Sequence, residues 1–231
     1  YFLECEKKII DELFIKLNSY KFRSKVEILN LSNEFVVAVL SREKFLTLEN
    51  SKDVLGYPTK FREDPIYLDP RHKDLGARLI TNLEKLHLSL KLLELKSSNL
   101  DEYYSVSNKL GIPQINTDKL QNNLFGIECN LNELNGIDFK KGCYVGQENT
   151  ARIKLKDKLS KRLFPVEVIE GDLSKDNIIH HEKTELGRVL INNKFPFAII
   201  KFKDKNFKFE KIFKCGSASV KIKKPYWFKF D

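Results

Sequence analysis

Between residues 6 and 17 the apolar side chains fall at Ile9, Ile10, Leu13, Phe14 and Leu17, with Lys7, Lys8, Asp11, Glu12 and Lys16 mostly opposite. That spacing predicts an amphipathic helix lying on a sheet. Two runs of strand character follow, 25–29 and 34–40, and the turn-prone Asn30, Ser32 and Asn33 between them suggest a hairpin. From Asn50 to Lys73 the chain is rich in Pro, Asp and Lys, and Asp69-Pro70-Arg71 reads as a turn before a short strand at 77–80. The leucines between Asn82 and Lys96 mix periods of two and of three to four, so helix and strand both remain open there.

A sharper signal comes next. Asn99 or Asp101 can cap a helix that runs to Leu110, Gly111 can end it in a left-handed conformation, and Ile112-Pro113 forbids continuation. Beyond residue 160 the apolar segments 163–169, 187–192, 197–202 and 217–222 are short and strand-like, with no helical period between them. They predict a small antiparallel barrel or sandwich from about residue 158.

Composition narrows the class. The chain has 231 residues, 42% of them apolar, enough for one sizeable core or two smaller domains. No run approaches the roughly 18 apolar residues of a membrane span, and no secretory signal opens the chain, so an intracellular protein is expected. The start at Tyr1-Phe2-Leu3 reads like the inside of a strand, and methionine is absent throughout, which suggests a fragment of a longer protein. A charge of +9 raises the question of an anionic partner, but lysines punctuate almost every segment instead of forming a patch. A solvated basic surface accounts for that distribution better than a nucleic-acid site. The four cysteines, Cys5, Cys129, Cys143 and Cys215, form no Cys-x-x-Cys pair, and the four histidines have no metal-ligand spacing; no protein-built metal site is assigned.

Chemistry concentrates between Glu128 and Arg152. Gly136, Gly142 and Gly146 mark places where the backbone turns or admits something close. Cys143 lies beside Lys141 and Gly142, and a short helix over 147–153 would set the thiol near its N-terminus. Glycines, lysines and the Gln147-Glu148 pair are poor company for a core cysteine, so Cys143 is the candidate nucleophile or soft metal ligand, whereas the other three are read as buried small hydrophobes.

The run Lys141-Gly142-Cys143-Tyr144-Val145-Gly146-Gln147-Glu148, with Asn130 to Phe139 before it and Thr150-Ala151-Arg152-Ile153 after it, closely resembles the YgfZ-type folate-binding family. Asp69-Pro70-Arg71 with Leu75-Gly76-Ala77-Arg78, Gly111-Ile112-Pro113 and Lys224-Pro225-Tyr226-Trp227 extend the resemblance over nearly the whole chain. It implies an α+β, aminomethyltransferase-like folate-binding fold: mixed α/β lobes around a central cavity, here N-terminally incomplete over 1–157, and a C-terminal β-barrel over 158–231. It also implies a tetrahydrofolate-binding accessory factor for assembly or repair of iron-sulfur clusters, acting on client enzymes or with the assembly machinery. Such a factor would be a monomer, cytoplasmic, or in the mitochondrial matrix if eukaryotic.

By the same resemblance Cys143 is the functional thiol; Lys141, Gly142, Tyr144, Gly146, Gln147, Glu148 and Arg152 shape its surroundings; and Glu128 holds the pterin. A carboxylate there can accept paired N–H bonds from the 2-amino pyrimidine edge. The family's usual Pro-x-Glu is replaced by Gly126-Ile127-Glu128. Two other functions stay in view: a folate-dependent aminomethyltransferase, which would be an enzyme in the ordinary sense, and a basic nucleic-acid-binding module.

Overall fold

A computed structural model describes residues 1–144, 146–155, 159–173 and 177–229. The chain divides into two compact units, Tyr1–Leu100 and Asp101–Asp231. The second therefore takes in residues 101–157 as well as the barrel strands.

In the first unit a 3-10 turn, Lys7–Ile9, leads into helix α1, Ile10–Tyr20. Its apolar face is half-buried, and none of its side chains is fully buried, so the expected packing on a sheet is incomplete. Strand β1 (Val36–Leu40) is followed by the short helix α2 (Arg42–Phe45), with Ser41 as its N-cap, accepting from the Lys44 N–H. Strands β2 (Thr59–Phe61), β3 (Asp64–Leu68) and β4 (Ala77–Thr81) complete an antiparallel sheet of order β1-β4-β3-β2. Helix α3, Leu83–Leu92, resolves the ambiguous leucine run as a helix, and Asn82 caps it by accepting from the Lys85 N–H. That cap selects the helix where periodicity alone does not.

The hairpin expected from 25–29 and 34–40 does not form. Residues 25–29 are not a strand, Val26 and Leu29 are exposed, and β1 pairs with β4 instead. The reason is local: Asn30 Oδ1 accepts from the Ser32 N–H at 3.1 Å, and the Glu34 and Phe35 N–H groups both bond to Leu31 O. This winds the connection into a helical turn where a hairpin needs a flat reversal. The unit's core gathers Phe45, Ile66, Leu68, Ala77 and Leu79. Beside it Asp64, nearly buried, accepts from Thr81 Oγ1 at 2.5 Å and from Lys85 Nζ at 2.8 Å, which provides the partners a buried carboxylate needs.

The second unit opens with helix α4, Leu100–Lys109. Gly111, at φ +72°, ends it in the left-handed conformation expected, and a β-carbon there would sit 2.7 Å from Pro225 Cγ. Trp227 Nε1 donates to Leu110 O at 2.8 Å, so the closing Pro-Tyr-Trp segment is fastened to the end of α4. Helix α5, Gln147–Leu155, carries the second half of the cysteine motif.

Strands β5 (Arg162–Glu170), β6 (Ile178–His181), β7 (Thr184–Ile191), β8 (Phe197–Ile200), β9 (Ile212–Cys215) and β10 (Ala218–Ile222) close a barrel in the order β10-β5-β8-β7-β6-β9. Closure gives every strand of the barrel a neighbour on each side for at least part of its length. Phe164, Ile179, Leu186, Ile200 and Phe213 are among the residues buried inside it. A β-carbon on Gly187 would meet Ile199 O at 2.0 Å, so β7 and β8 approach as closely as they do only because that position is glycine. The expected barrel is present, with β6 and β9 added. Both are only four residues long, too short to show a period of two against their charged neighbours.

Candidate functional site

The segment before β5 is pinned to the barrel wall residue by residue. Leu163 N–H donates to Glu128 O at 2.9 Å, and Asn130 Nδ2 donates to Leu163 O at 2.8 Å. Asn130 is fully buried, at φ +63°, a left-handed conformation that asparagine tolerates better than most residues. Its Oδ1 accepts from Arg162 Nη1 at 3.0 Å, and Arg162 Nη2 pairs with Glu133 at 2.7 Å. This Asn130–Arg162–Glu133 chain fixes the Gly126–Asn135 turns. Sequence reasoning missed it, because the two halves stand about thirty residues apart and neither carries a spacing signal.

Within those turns Glu128 is half-buried. Its Oε2 accepts from the Phe125 N–H at 3.0 Å, so one carboxylate oxygen closes its own loop. Cys129 beside it is an inert thiol: burial, aided by the negative charge of Glu128, pushes its pKa up to about 11.

Cys143 has the opposite setting and is exposed. On its N-terminal side Asp138 Oδ1 accepts from the Lys140 N–H at 2.8 Å. On its C-terminal side Tyr144 and Gln147 exchange hydrogen bonds: Tyr144 N–H to Gln147 Oε1 at 3.2 Å, and Gln147 N–H to Tyr144 O at 3.1 Å. The side-chain half of that exchange works like the return arm of a capping box and sets where α5 begins. Gly146, at φ +87°, makes the entry turn possible, and its carbonyl accepts from both the N–H and Oγ1 of Thr150. Lys141 Nζ lies 4.6 Å from the centre of the Tyr144 ring, and Lys154 Nζ lies 3.6 Å from that of Phe139. Cation–π contacts of this exposed kind contribute about 0.5–1 kcal/mol each.

The three glycines therefore differ in use. Gly146 needs its positive φ, and Gly136 abuts Leu131, but a β-carbon on Gly142 would meet nothing within 4 Å. Gly142 leaves space beside the thiol instead of relieving a clash. Tyr144, Gly146, Gln147 and Glu148 line an open cleft of about 580 Å³ together with Asn149 and Ala151. Arg152 is exposed on α5, and Val145 lies outside the described residues. The described motif residues Lys141–Tyr144, Gly146 and Gln147 thus lead into the start of α5. Glu128 belongs to the barrel-side turns, where its carboxylate is bound to its own loop.

Among the described residues no group of three or more His, Cys, Asp or Glu side chains could hold a metal ion, and no helix is long and apolar enough to cross a membrane. An exposed cysteine just ahead of a helix, carried by a mixed α+β chain with a closed six-stranded barrel, defines a protein that presents a thiol on its surface.

No family model matches the chain. It is similar to iron-sulfur cluster assembly factors called IBA57, a YgfZ-related family. The mitochondrial IBA57 of Mus musculus is 32% identical over 180 residues, 77% of this chain and 48% of that protein. The mitochondrial IBA57 homolog of Dictyostelium discoideum is 29% identical over 180 residues, covering 78% of this chain and 44% of that protein. The Aspergillus oryzae homolog is 40% identical over 109 residues, covering 46% of this chain and 24% of that one. The chain spans less than half the length of these relatives. All three are named as mitochondrial, the location the sequence reading gave for a eukaryotic source.

Proposed function

We propose that this chain is part of a tetrahydrofolate-binding accessory factor for assembly or repair of iron-sulfur clusters in the mitochondrial matrix, with Cys143 as its working thiol. One observation carries the reading: Cys143 is exposed on a loop whose far end is locked by the Tyr144–Gln147 exchange, in a chain similar to named cluster assembly factors. A thiolate is a soft ligand for iron, and here the iron is cargo supplied by a partner. A thiol held in the open, with space left by Gly142, can reach a cluster bound elsewhere. A cysteine buried like Cys215 cannot.

Tetrahydrofolate fits Glu128 in part. With Oε2 engaged by the Phe125 N–H, the other oxygen is left to accept one N–H from a 2-amino pyrimidine edge, and a bidentate grip requires that bond to be given up. When bound, the folate would supply a one-carbon carrier or a reducing pteridine. This chain's own contribution is to orient it through Glu128 and to present Cys143.

The test has two arms. In cells lacking the factor, the full-length protein should restore cluster-dependent enzyme activities, and Cys143→Ala should not; full rescue by Cys143→Ala would remove the thiol from the function. Calorimetric titration of the full-length protein with tetrahydrofolate should show binding that Glu128→Gln weakens. No heat with the intact protein would remove folate and leave the thiol role standing.

A further inference from the structure

The barrel carries a second recess, of about 680 Å³, which shares no lining residue with the cleft at α5. It lies where β5 changes partners. Residues Arg162–Pro165 of β5 pair with β8, whereas Val166, Glu167, Val168 and Glu170 pair with β10 alone among the described residues, the register shifting at Ile169. The last bond on the β8 side is Val166 N–H to Pro196 O, at 2.9 Å. Beyond it, from Glu167 to Glu170, that edge of the strand has no strand partner among the described residues, and Val168 and Ile169 are 38% and 49% exposed. An unpaired edge flanked by accessible apolar side chains is where an extended segment can add itself as a further strand.

The recess is also electrically biased. Lys109, Lys194, Lys223 and Lys224 line it, against the carboxylates of Glu167 and Asp172. Lys223 pairs with Glu167 at 2.6 Å, and Lys194 pairs with Asp101 on α4. Lys109 and Lys224 form no salt bridge among the described residues. Asn193, also in the lining, has a buried Nδ2 with no acceptor among the described residues. Two ammonium groups without a carboxylate partner among the described residues, that of Lys224 lying 5.8 Å from the centre of the Phe209 ring, line the recess beside a strand edge. The complement of that surface is an extended chain with carboxylates.

We propose that this recess docks a short, extended, acidic segment of a partner protein, pairing its backbone with the free edge of β5 and its carboxylates with Lys109 and Lys224. The four residues from Glu167 to Glu170 admit about 14 Å of strand at roughly 3.4 Å per residue. Alternation divides the labour: one face of the segment meets Val168, and the other carries the acids to the lysines. This inference is independent of the thiol and of folate.

The test uses the full-length protein and a fluorescein-labelled eight-residue peptide of alternating Val and Glu, read by anisotropy. Saturable binding is expected. It should weaken at least tenfold in the Lys109→Glu/Lys224→Glu double variant, and at least tenfold for a peptide N-methylated at alternate residues, which cannot pair as a strand. The exposed lysine Lys91 provides the control, Lys91→Glu, which should bind unchanged. Absence of binding overturns the proposal, as does a Val-Lys peptide binding equally well or affinity indifferent to the charge reversals. Equal binding of the N-methylated peptide, or full competition by triglutamate at the same concentration, reduces the recess to an unspecific anion site and overturns it too. Thermal midpoints of the variants within about 2 °C of the parent exclude loss of fold as the cause.

Discussion

Asn130 offers its side-chain amide to two consecutive residues of one barrel strand, donating to Leu163 O at 2.8 Å and accepting from Arg162 Nη1 at 3.0 Å. Asn130→Ala removes both bonds, leaves a buried carbonyl without a donor, and puts alanine at φ +63°. An unsatisfied buried group costs about 1–3 kcal/mol and the left-handed conformation about 1–2. Urea denaturation should therefore show a loss of about 3 kcal/mol with an unchanged m-value. A loss below about 0.5 kcal/mol would mean the pair does not hold these turns.

The cysteines should separate by reactivity. Cys143 is exposed, Cys215 is fully buried in the barrel, and the Cys129 pKa stands at about 11. Iodoacetamide at pH 8 should label Cys143 first, by at least tenfold over Cys129, as mapped by mass spectrometry. Cys129 should gain reactivity only as pH climbs toward 11. Equal labelling at pH 8 would contradict the raised pKa of the half-buried Cys129.

Stability should carry a histidine signature. His72 caps the 3-10 turn Lys73–Leu75 by accepting from the Asp74 N–H at Nδ1, 3.1 Å away, a role only the neutral ring can fill. Burial lowers its pKa below the ordinary value of about 6.5, so the folded state holds fewer protons than the unfolded chain as pH falls. The His72 contribution is therefore complete above about pH 6.5 and declines as pH drops through the lowered pKa. His72→Asn keeps a capping acceptor that does not titrate. The difference in unfolding midpoint between parent and variant should narrow or reverse in the variant's favour between pH 7 and pH 5. A parent that gains on the variant over that range would reverse the sign and refute the argument.

The closing segment should act as a latch. Trp227→Phe keeps an aromatic ring but loses the bond to Leu110 O, which should cost about 1 kcal/mol. Gly111→Ala should cost more, because the new methyl meets Pro225 at 2.7 Å in a left-handed conformation. The two changes touch the same joint, so their sum should depart from the double variant by more than about 0.5 kcal/mol. Strict additivity would show that the latch is not one unit.

Local chemistry was the legible part of the sequence. The end of α4 at Gly111 could be read because one residue type is needed at φ +72°, and the start of α5 because Gly146 and Gln147 serve positions within three residues of themselves. What depended on distant partners stayed hidden. Val26 and Ile28 alternate like strand residues, yet β1 found its neighbour in β4, some forty residues on. Asn130 and Arg162 meet only because the barrel folds, and the recess beside β5 exists only because that strand exchanges one partner for another. The candidate thiol was thus visible in the sequence, whereas the scaffold that steadies Glu128 was not.

The Leu163 backbone, bound to Glu128 O through its N–H and to Asn130 Nδ2 through its carbonyl, sets a limit on how this architecture can be cut and recombined. The six strands are not an interchangeable cassette. A graft beginning at Arg162 would leave both polar groups of Leu163 bare and deprive the Trp227 indole of its acceptor on Leu110. The seam that severs none of these bonds lies ahead of Asp101, so exchange between related proteins can move barrel, motif loop and α4 only as one inheritance.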